Sequence, residues 1–472
     1  MPADVGPYDG RRARRKRCDA CVKRRIKCHG GTPCETCRRM DRQCKTTIKG
    51  TTSGPVFVGQ NTQAVITSTK NDSKVPQCVS PKGLNRNLPY FFVSFLPMNI
   101  FTGEKVPMGL ELLDLAKTSP ALRDAIHAVA ALHRRQHCQL TFTKEDVYND
   151  LAESLEAYDQ AVRCILDRID SNDLLEDPSA LWTTFLLGLF ELMRDSTGTN
   201  WLSHFLHGTC TILRLQDPDT LSSLGVDNTQ KRTFFLATRT FEIARSLIYS
   251  SPTFLSELRW TSALAKLWSG AGADLWHPKE ALFDMLPHIS ALSIRAARFC
   301  ETAKELPVDT QRAQIQSLAN KSLVLGESLQ LWWSDTVAWD QATQYPIMNN
   351  GIQRKPDIEL MVGYLYYHAI SIYISGTYDY HVHWTCFGAP HAPVLSQSTI
   401  DWHVVEILRL SQELLKLGAA GVLLFFPLRV AGARVMDLCS RCDILNLLHT
   451  VQQRGFVVAT AFTLDLSELW VG

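Results

Sequence analysis

The sequence lacks the short motifs that mark the common classes of enzyme. It contains no P-loop, no G-x-G-x-x-G turn, no nucleophile elbow and no H-E-x-x-H pair. The absence of these motifs does not exclude catalysis, but nothing in the residues argues for it. We therefore predict a protein that is not an enzyme and has no catalytic residues.

The sequence also has little that would send it to a membrane or out of the cell. The segment MPADVGPYDG has no apolar h-region, so no secretory signal is visible. The uncharged run from Leu417 to Leu428 has 12 residues, which is too short to span a bilayer and typical of a buried helix. We therefore expect a reducing compartment, in which paired C-x-x-C motifs indicate metal binding rather than disulfides.

What the sequence does have is a cluster of cysteines in its first fifty residues. Two copies of C-x-x-C, each followed by six residues and a third cysteine, contain Cys18, Cys21, Cys28, Cys34, Cys37 and Cys44. A tetrahedral zinc takes four ligands, and thiolate is a preferred one. Six sulfurs fill the ligand positions of two zinc ions only if two of them bridge both metals, so the spacing predicts a cluster of two zinc ions.

Charge is concentrated around these cysteines. Residues 1–50 contain 15 Lys and Arg against 5 Asp and Glu, a net charge of +10. The rest of the chain contains 34 Lys and Arg against 42 Asp and Glu, a net charge of −8. A compact basic segment on a mildly acidic body is typical of a nucleic-acid-binding protein, whose affinity depends on salt.

The stretch CDACVKRRIKCHGGTPCETCRRMDRQC resembles the DNA-binding domain of the fungal binuclear zinc cluster transcription factors. The resemblance implies a role for each cysteine: Cys18 and Cys34 bridge the two metals, Cys21 and Cys28 complete one zinc, and Cys37 and Cys44 complete the other. The chain departs from the family at Val22, where a basic residue is common, and at His29, where Asp is common. The first departure removes one phosphate contact, and the second lies outside the ligand set.

The resemblance also places Arg24 and Arg25 at the end of a short helix that enters the major groove. The guanidinium fork of arginine pairs with guanine O6 and N7 together, which fits the family's CGG-like half-site. Lys23 and Lys27 are expected to contact phosphates, which position a protein without specifying sequence. The alternative for each of these four basic residues is that its side chain is solvated and makes no contact with DNA.

A basic arm, residues 1–17, precedes the first cysteine. Its charges include Arg14, Arg15, Lys16 and Arg17, which we predict to contact DNA. The run also has the composition of a nuclear import signal read by an import receptor, and the two functions are compatible. Both indicate the nucleus.

Residues 45–89 are rich in Thr, Ser, Gly, Asn, Gln, Pro and Lys, which predicts a flexible linker. Many family members carry a dimerising coiled coil at this place, but the segment has no sustained heptads. A homodimer is therefore possible without support from the linker, and monomeric binding to one half-site stays open.

Residues 90–472 show helical periodicity and no alternation typical of strands, so we predict one large all-α domain. Ser119-Pro120 and Asp177-Pro178 have the pattern of helix starts. A longer stripe of the same period predicts a further core-facing helix, with members Leu151, Leu155, Tyr158, Val162, Ile165, Leu166 and Ile169. Further helices are predicted at 181–193, 201–215, 234–249, 283–304, 314–333, 358–375, 400–417 and 423–448.

This region resembles the fungal-specific transcription factor domain in SPALRDAIHAVAALHRR, LLGLFELMRDSTGTNWLSHFLHGTCTILRL and GAAGVLLFFPLRVAGAR. The resemblance implies a regulatory domain that controls the DNA-binding segment or binds partners. The fold class is therefore mainly α, with a small N-terminal binuclear zinc cluster domain at 18–44 followed by a large all-α regulatory domain at 90–472.

Several features of this region carry weaker signals. Cys439 and Cys442 form a lone C-x-x-C, which favours ordinary helix cysteines over a metal or redox role. His127 and His133, His204 and His207, and His381 and His383 form close pairs, for which surface or core histidines are the default. The tail from Phe462 to Trp470 has the composition of some activation segments, but its periodicity favours a closing amphipathic helix.

Together these features predict a sequence-specific, zinc-dependent regulator of RNA polymerase II transcription. Its expected partners are double-stranded DNA and the transcription machinery or co-regulators. By family habit it is pathway-specific and controls a metabolic gene cluster. The alternative is a zinc-stabilised protein–protein adaptor, which predicts a near-neutral finger rather than this basic one.

Overall fold

The computed structural model describes residues 84–103, 106, 108–137, 144–170, 174–175, 177–198, 210–348, 356–379, 384 and 392–471, together with Cys37. We refer to the described residues from Leu84 to Val471 as the helical body. Within it, the regular structure is helical except for one isolated parallel bridge between Ile100 and Ala419. This confirms the prediction of a mainly α domain in this part of the chain.

The α-helices of the helical body are numbered in chain order. They are α1 Leu84–Tyr90, α2 Met108–Thr118, α3 Pro120–His137, α4 Lys144–Asp170, α5 Pro178–Arg194, α6 Cys210–Leu215, α7 Val226–Tyr249, α8 Leu258–Ser269, α9 Pro278–Thr302, α10 Val308–Met348, α11 Ile358–Asp379, α12 Gln397–Lys416, α13 Phe425–Arg434, α14 Leu438–Gln453 and α15 Ala459–Val471. Helix α1 continues through a π-helical segment, Phe91–Phe95, into the turn Leu96–Met98. It begins inside the range 45–89 that the sequence assigns to a linker.

Both predicted helix starts are present. The hydroxyl of Ser119 accepts a hydrogen bond from the Leu122 amide at 3.3 Å, and Pro120 is the first residue of α3. The carboxylate of Asp177 accepts from the Ser179 amide at 2.8 Å, and Pro178 begins α5. A side-chain acceptor before a proline satisfies a backbone donor that has no partner inside the helix, which explains why these signals were reliable.

Helix α4 packs on α3 through a face that only partly coincides with the predicted stripe. Leu155 and Ile169 lie at the exposed edges of the helix, whereas Ser154, Ala157 and Ala161 are buried. Small side chains let two helix backbones approach closely, which favours Ala157 and Ala161 at the contact. The predicted helix is correct and its stripe is correct in part: Ile165 is buried, and Tyr158 and Val162 are half-buried against the core.

The predicted segments 234–249, 283–304, 314–333, 358–375 and 400–417 each correspond to one helix, α7, α9, α10, α11 and α12 in that order. The segment 423–448 instead contains two helices, α13 and α14. The helical conformation is interrupted between them at Val435–Asp437. There the Asp437 carboxylate caps α14 by accepting a hydrogen bond from the Ser440 amide at 2.8 Å. Of the segment 201–215, only α6 lies among the described residues.

The apolar run from Leu417 to Leu428 is buried except for half-buried Leu417. It is a 3-10 helix over Gly421–Leu424 and becomes α-helical only from Phe425 onward. Gly418 adopts a positive φ of 90°, and a Cβ there would lie 2.4 Å from the carbonyl oxygen of Pro97. The Ile100 amide donates to the Gly418 carbonyl at 2.8 Å, and the Ala420 amide donates to the Ile100 carbonyl at 2.9 Å. A glycine is required because a side chain would block this contact with the start of the body.

Candidate functional site

Most of the predicted site lies outside the described residues. This holds for the metal ligands Cys18, Cys21, Cys28, Cys34 and Cys44, and for the predicted DNA contacts Arg14, Arg15, Lys16, Arg17, Lys23, Arg24, Arg25 and Lys27. Cys37 is described, and it is helical and buried. The two-zinc cluster and its DNA contacts therefore stay predictions.

Within the helical body, the largest concentration of buried charge is a network that joins three helices. Arg239 on α7 is 2% exposed, and its guanidinium pairs with Glu280 and with Asp284 at 2.6 Å, both on α9. The indole of Trp268 donates to the other oxygen of Asp284 at 2.8 Å. The guanidinium also lies 5.8 Å from the centre of the Trp268 ring. Charge-assisted bonds to two carboxylates compensate the cost of burying one arginine.

Lys279 extends this network from α9 to α11. Its ammonium group lies 2.9 Å from a carboxylate oxygen of Glu280 and 2.7 Å from one of Glu359. Burial by itself would lower the pKa of Lys279, but Glu280 and Glu359 outweigh burial and raise it. Lys279 is therefore charged at neutral pH, and its charge holds α9 against α11.

The surroundings shift the pKa values of two carboxylates of the network, Glu280 and Asp284, in opposite directions. Burial would raise the pKa of Glu280, but Lys279 and Arg239 outweigh it and hold the pKa below its ordinary value. For Asp284 burial dominates over Arg239, so its pKa is raised. Glu280 is thus the fixed negative charge at the centre, and Asp284 binds a proton more readily than an ordinary aspartate does.

A small cavity adjoins this network, with room for about one water molecule. Lys279, Glu359, Thr240 and Thr102 supply its polar lining, beside apolar side chains. Gly103 lies so close to Glu359 that a Cβ would overlap the carboxylate. The charged groups at the cavity bind one another. They therefore fix the positions of the start of the body, α7, α9 and α11 relative to one another.

Sequence reasoning did not find this network. Lys279 and Glu280 follow Pro278 in the first turn of a helix, where charges are ordinarily solvated. Their partners Arg239 and Glu359 are distant in the chain, and no local spacing connects them. The only sequence signal was the presence of opposite charges near helix starts, which is too common to be informative.

The predicted histidine pairs are core residues where the structure describes them. His127 is buried beside Asn87, whose amide lies 3.1 Å from its ring nitrogens, and burial lowers the pKa of His127 to about 4. His133 is buried with the Tyr90 hydroxyl 2.9 Å from Nδ1, and burial lowers its pKa to about 3. His204, His207, His381 and His383 lie outside the described residues.

A further histidine pair was not predicted, because its members are far apart in sequence. The Nδ1 atoms of His368 on α11 and His403 on α12 are 2.8 Å apart, so one ring donates and the other accepts. Burial lowers the pKa of His368 to about 3 and that of His403 to about 4. Both rings are therefore neutral at physiological pH, as a hydrogen bond between two buried imidazoles requires.

Across the described residues, two other kinds of site are absent. No three or more His, Cys, Asp or Glu side chains come together there in a way that would hold a metal ion. None of the described helices combines the length and apolar character that a membrane crossing needs.

The described residues form a large helical body whose helices are joined by this internal network. A family model for the fungal-specific transcription factor domain matches residues 87–470. The chain belongs to that family, which indicates a transcription regulator rather than an enzyme. No curated protein and no solved structure matches the chain.

Proposed function

We propose that the chain is a sequence-specific, zinc-dependent DNA-binding regulator of RNA polymerase II transcription that acts in the nucleus. One observation carries the proposal: a family domain of transcription regulators at 87–470 shares a chain with a basic six-cysteine repeat at 18–44. The family domain and the six-cysteine repeat support the proposal more strongly together than either does separately, because fold alone does not identify a function.

In this proposal the six cysteines hold two zinc ions, with Cys18 and Cys34 as bridging ligands. Thiolates suit zinc, and the C-x-x-C spacing matches a tetrahedral site. Six thiolates carry more negative charge than two zinc ions neutralise, so the surrounding bases also offset the cluster itself. The remaining bases are available to DNA phosphates.

DNA reading is assigned to the basic segment rather than to the helical body. Residues 51–472 have a net charge of −8, which does not favour contact with phosphates. Several of the body's basic side chains, including Arg239 and Lys279, are buried in internal pairs. The body is therefore assigned to co-regulators or to control of the DNA-binding segment, and the regulated genes form a specific pathway.

The decisive experiment is a selection from a random duplex DNA pool with the full chain, in the presence of zinc and again with a chelator. We expect zinc-dependent enrichment of a CGG-like triplet. One enriched copy indicates a monomer, and two spaced copies indicate a dimer. A metal-loaded protein that enriches no sequence contradicts the proposal and favours the protein–protein adaptor.

A matched pair of variants separates specific reading from general electrostatics. Arg24→Ala with Arg25→Ala removes two charges from the predicted reading helix. Lys304→Ala with Lys321→Ala removes the same charge from exposed positions of the body. We expect the first variant to lose the enriched triplet and the second to retain it. Equal losses in both would show that net charge alone drives binding.

A further inference from the structure

The C-x-x-C of the helical body occupies an unusual position for structural cysteines. Cys439 and Cys442 lie in the first turns of α14, and both are exposed. Cysteine is among the residue types most often buried, and as a structural residue it behaves as a small apolar side chain. Neither of these two thiols has that packing role, so packing does not account for them.

Two of the other three described thiols of the body provide the contrast, and the third, Cys164, is half-buried. Cys210 is buried, and burial raises its pKa well above the ordinary value. Cys300 is half-buried, and burial raises its pKa to about 12. Thiolate is the reactive form, so these two thiols are poor nucleophiles. Among the described thiols, only Cys439 and Cys442 are exposed, so they are the pair most accessible to a reagent in solution.

The spacing of the two cysteines suits a disulfide. Residues i and i+3 of an α-helix have Cα atoms about 5 Å apart, within the range of about 4.4–6.8 Å that disulfides span. Metal binding is the weaker use of this pair, because no set of three or more ligating side chains forms among the described residues. In a reducing compartment, an accessible dithiol of this kind is typically catalytic or redox-sensing.

We propose that Cys439 and Cys442 form a redox-active dithiol that a low-molecular-weight disulfide, such as oxidised glutathione, converts to an intrahelical disulfide. One thiolate attacks the glutathione disulfide, which forms a mixed disulfide and releases one glutathione thiolate. The second cysteine loses its proton to solvent and attacks the protein sulfur of the mixed disulfide. The protein disulfide forms, the second glutathione leaves, and two electrons have passed to glutathione.

Oxidation has a structural consequence at the C-terminal helix. The Cβ atoms of residues i and i+3 lie about 5–6 Å apart in a regular helix, whereas a disulfide holds them near about 3.8 Å. The first turns of α14 must therefore tighten. Arg441 lies between the two cysteines, and its guanidinium is 5.2 Å from the centre of the Trp470 ring on α15. The Trp470 indole donates to the Gly432 carbonyl at 2.8 Å, so the change reaches the α13–α15 contact.

The sequence around the pair permits a sharp test. Trypsin cleaves after Arg434, Arg441 and Arg454, so the two cysteines fall in different peptides, 435–441 and 442–454. The zinc-loaded full chain is equilibrated with mixtures of reduced and oxidised glutathione, alkylated and digested without reductant. We expect the two alkylated peptides to be replaced, in one two-electron step, by a linked pair that separates on reduction.

Variants in which one cysteine is replaced by serine test the mixed-disulfide step. Cys439→Ser and Cys442→Ser should each accumulate glutathione on the remaining thiol, whereas the wild type should resolve the mixed disulfide. Cys164→Ser is the matched control and should leave the linked pair unchanged. If the wild-type peptides stay singly alkylated, or each retains glutathione, at every ratio, the proposal is wrong. None of these readouts depends on DNA binding, so failure here leaves the proposed function intact.

Hydrogen exchange tests the structural consequence in the same samples. We expect faster amide exchange in residues 459–471 after oxidation of the wild type, and no change in the double serine variant. Unchanged exchange in a fully oxidised wild type would contradict the coupling to α15.

Discussion

The six-cysteine segment and the helical body differ in what can hold them together. A segment of the length of residues 18–44 is too short for a hydrophobic core, so its folding is expected to depend on metal ligation. The helical body buries large side chains such as Trp182, Trp260 and Tyr366 in one continuous core. The comparison teaches that one chain can contain two parts with separate sources of stability, so damage to one part should leave the other folded.

The largest expected effect is at the metal cluster. Cys34→Ser removes a predicted ligand of both zinc ions, so we expect loss of zinc and of all specific DNA binding. The helical body should keep its thermal unfolding transition, because burial of its own apolar side chains stabilises it. Zinc content, DNA binding and circular dichroism of the full chain measure these three outcomes. Retention of two zinc ions per chain would contradict the bridging role of Cys34.

The second-largest effect is expected from a variant that destabilises the helical body and leaves the DNA-binding segment unchanged. Arg239→Met leaves buried Glu280 with Lys279 as its remaining cation and half-buried Asp284 with none among the described residues, which should cost about 3 kcal/mol in the unfolding free energy of the body. The selected DNA triplet should not change. Denaturant unfolding and the binding selection measure the two parts separately.

Arg409→Met is the matched control for Arg239→Met. It breaks a solvent-exposed pair with Glu406, in which the arginine side chain is 56% exposed. Exposed pairs contribute about 0–1 kcal/mol, so we expect little change. If the two variants lost similar unfolding free energy, the buried network would contribute no more to stability than an exposed ion pair, which would contradict its proposed structural role.

A smaller effect is expected at a single base contact of the DNA-binding segment. Arg25→Ala should cost about 1–3 kcal/mol in binding free energy and relax the preference at one base position. Lys23→Ala should instead weaken binding to all sequences and reduce the salt dependence. Competition binding with each single-base variant of the selected site distinguishes them. A uniform loss for Arg25→Ala would make that residue a phosphate contact.

The smallest effect concerns the pH dependence of the body. The pKa of His403 falls from its ordinary 6.5 to about 4 in the folded chain, so its contribution to stability is complete above pH 6.5 and is lost as pH falls toward 4. His403→Asn keeps a hydrogen-bonding group near His368 and removes one titrating ring. The variant should therefore lose less stability than wild type between about pH 7.5 and about pH 5, by on the order of 1 kcal/mol.

The comparison between variant and wild type is needed because other groups titrate in the same interval. Burial raises the pKa of Glu111 to about 7 despite its hydrogen bond from Trp182. Its contribution to stability is present below pH 4.5 and is lost as pH rises through 7, which opposes the histidines. Thermal unfolding at each pH, expressed as the difference between the two proteins, cancels this opposing contribution. An identical pH slope in both proteins would show that His403 does not titrate with unfolding.

Sequence patterns located helices reliably where a local signal defined their ends. Asp177-Pro178 predicted the start of α5, and the apolar residues that follow are buried on nearly every side. The break between α13 and α14 was missed because apolar periodicity continues through it. The Asp437 cap that begins α14 is a local signal that could have revealed the break.

The helix α4 and the charge network show where local patterns are insufficient. Size and hydrophobicity suggested that Leu155 and Ile169 would be buried, but close approach to α3 favours Ala157 and Ala161. Lys279 and Glu280 would be assigned to the surface by residue type. Only the packing of α7 and α11 against α9 supplies Arg239 and Glu359 as their partners.

By itself, the sequence determined the properties that depend on short-range spacing: the six-cysteine repeat, the basic charge around it, the helical period of the body and the caps that begin α3 and α5. Each of these depends on residues a few positions apart, whose relative geometry is set by local backbone structure. The tertiary structure decided which charges are buried together, that His368 meets His403, and that Cys439 and Cys442 are accessible while Cys210 is not. These properties depend on contacts between distant helices, and local spacing contains no information about which helix faces meet.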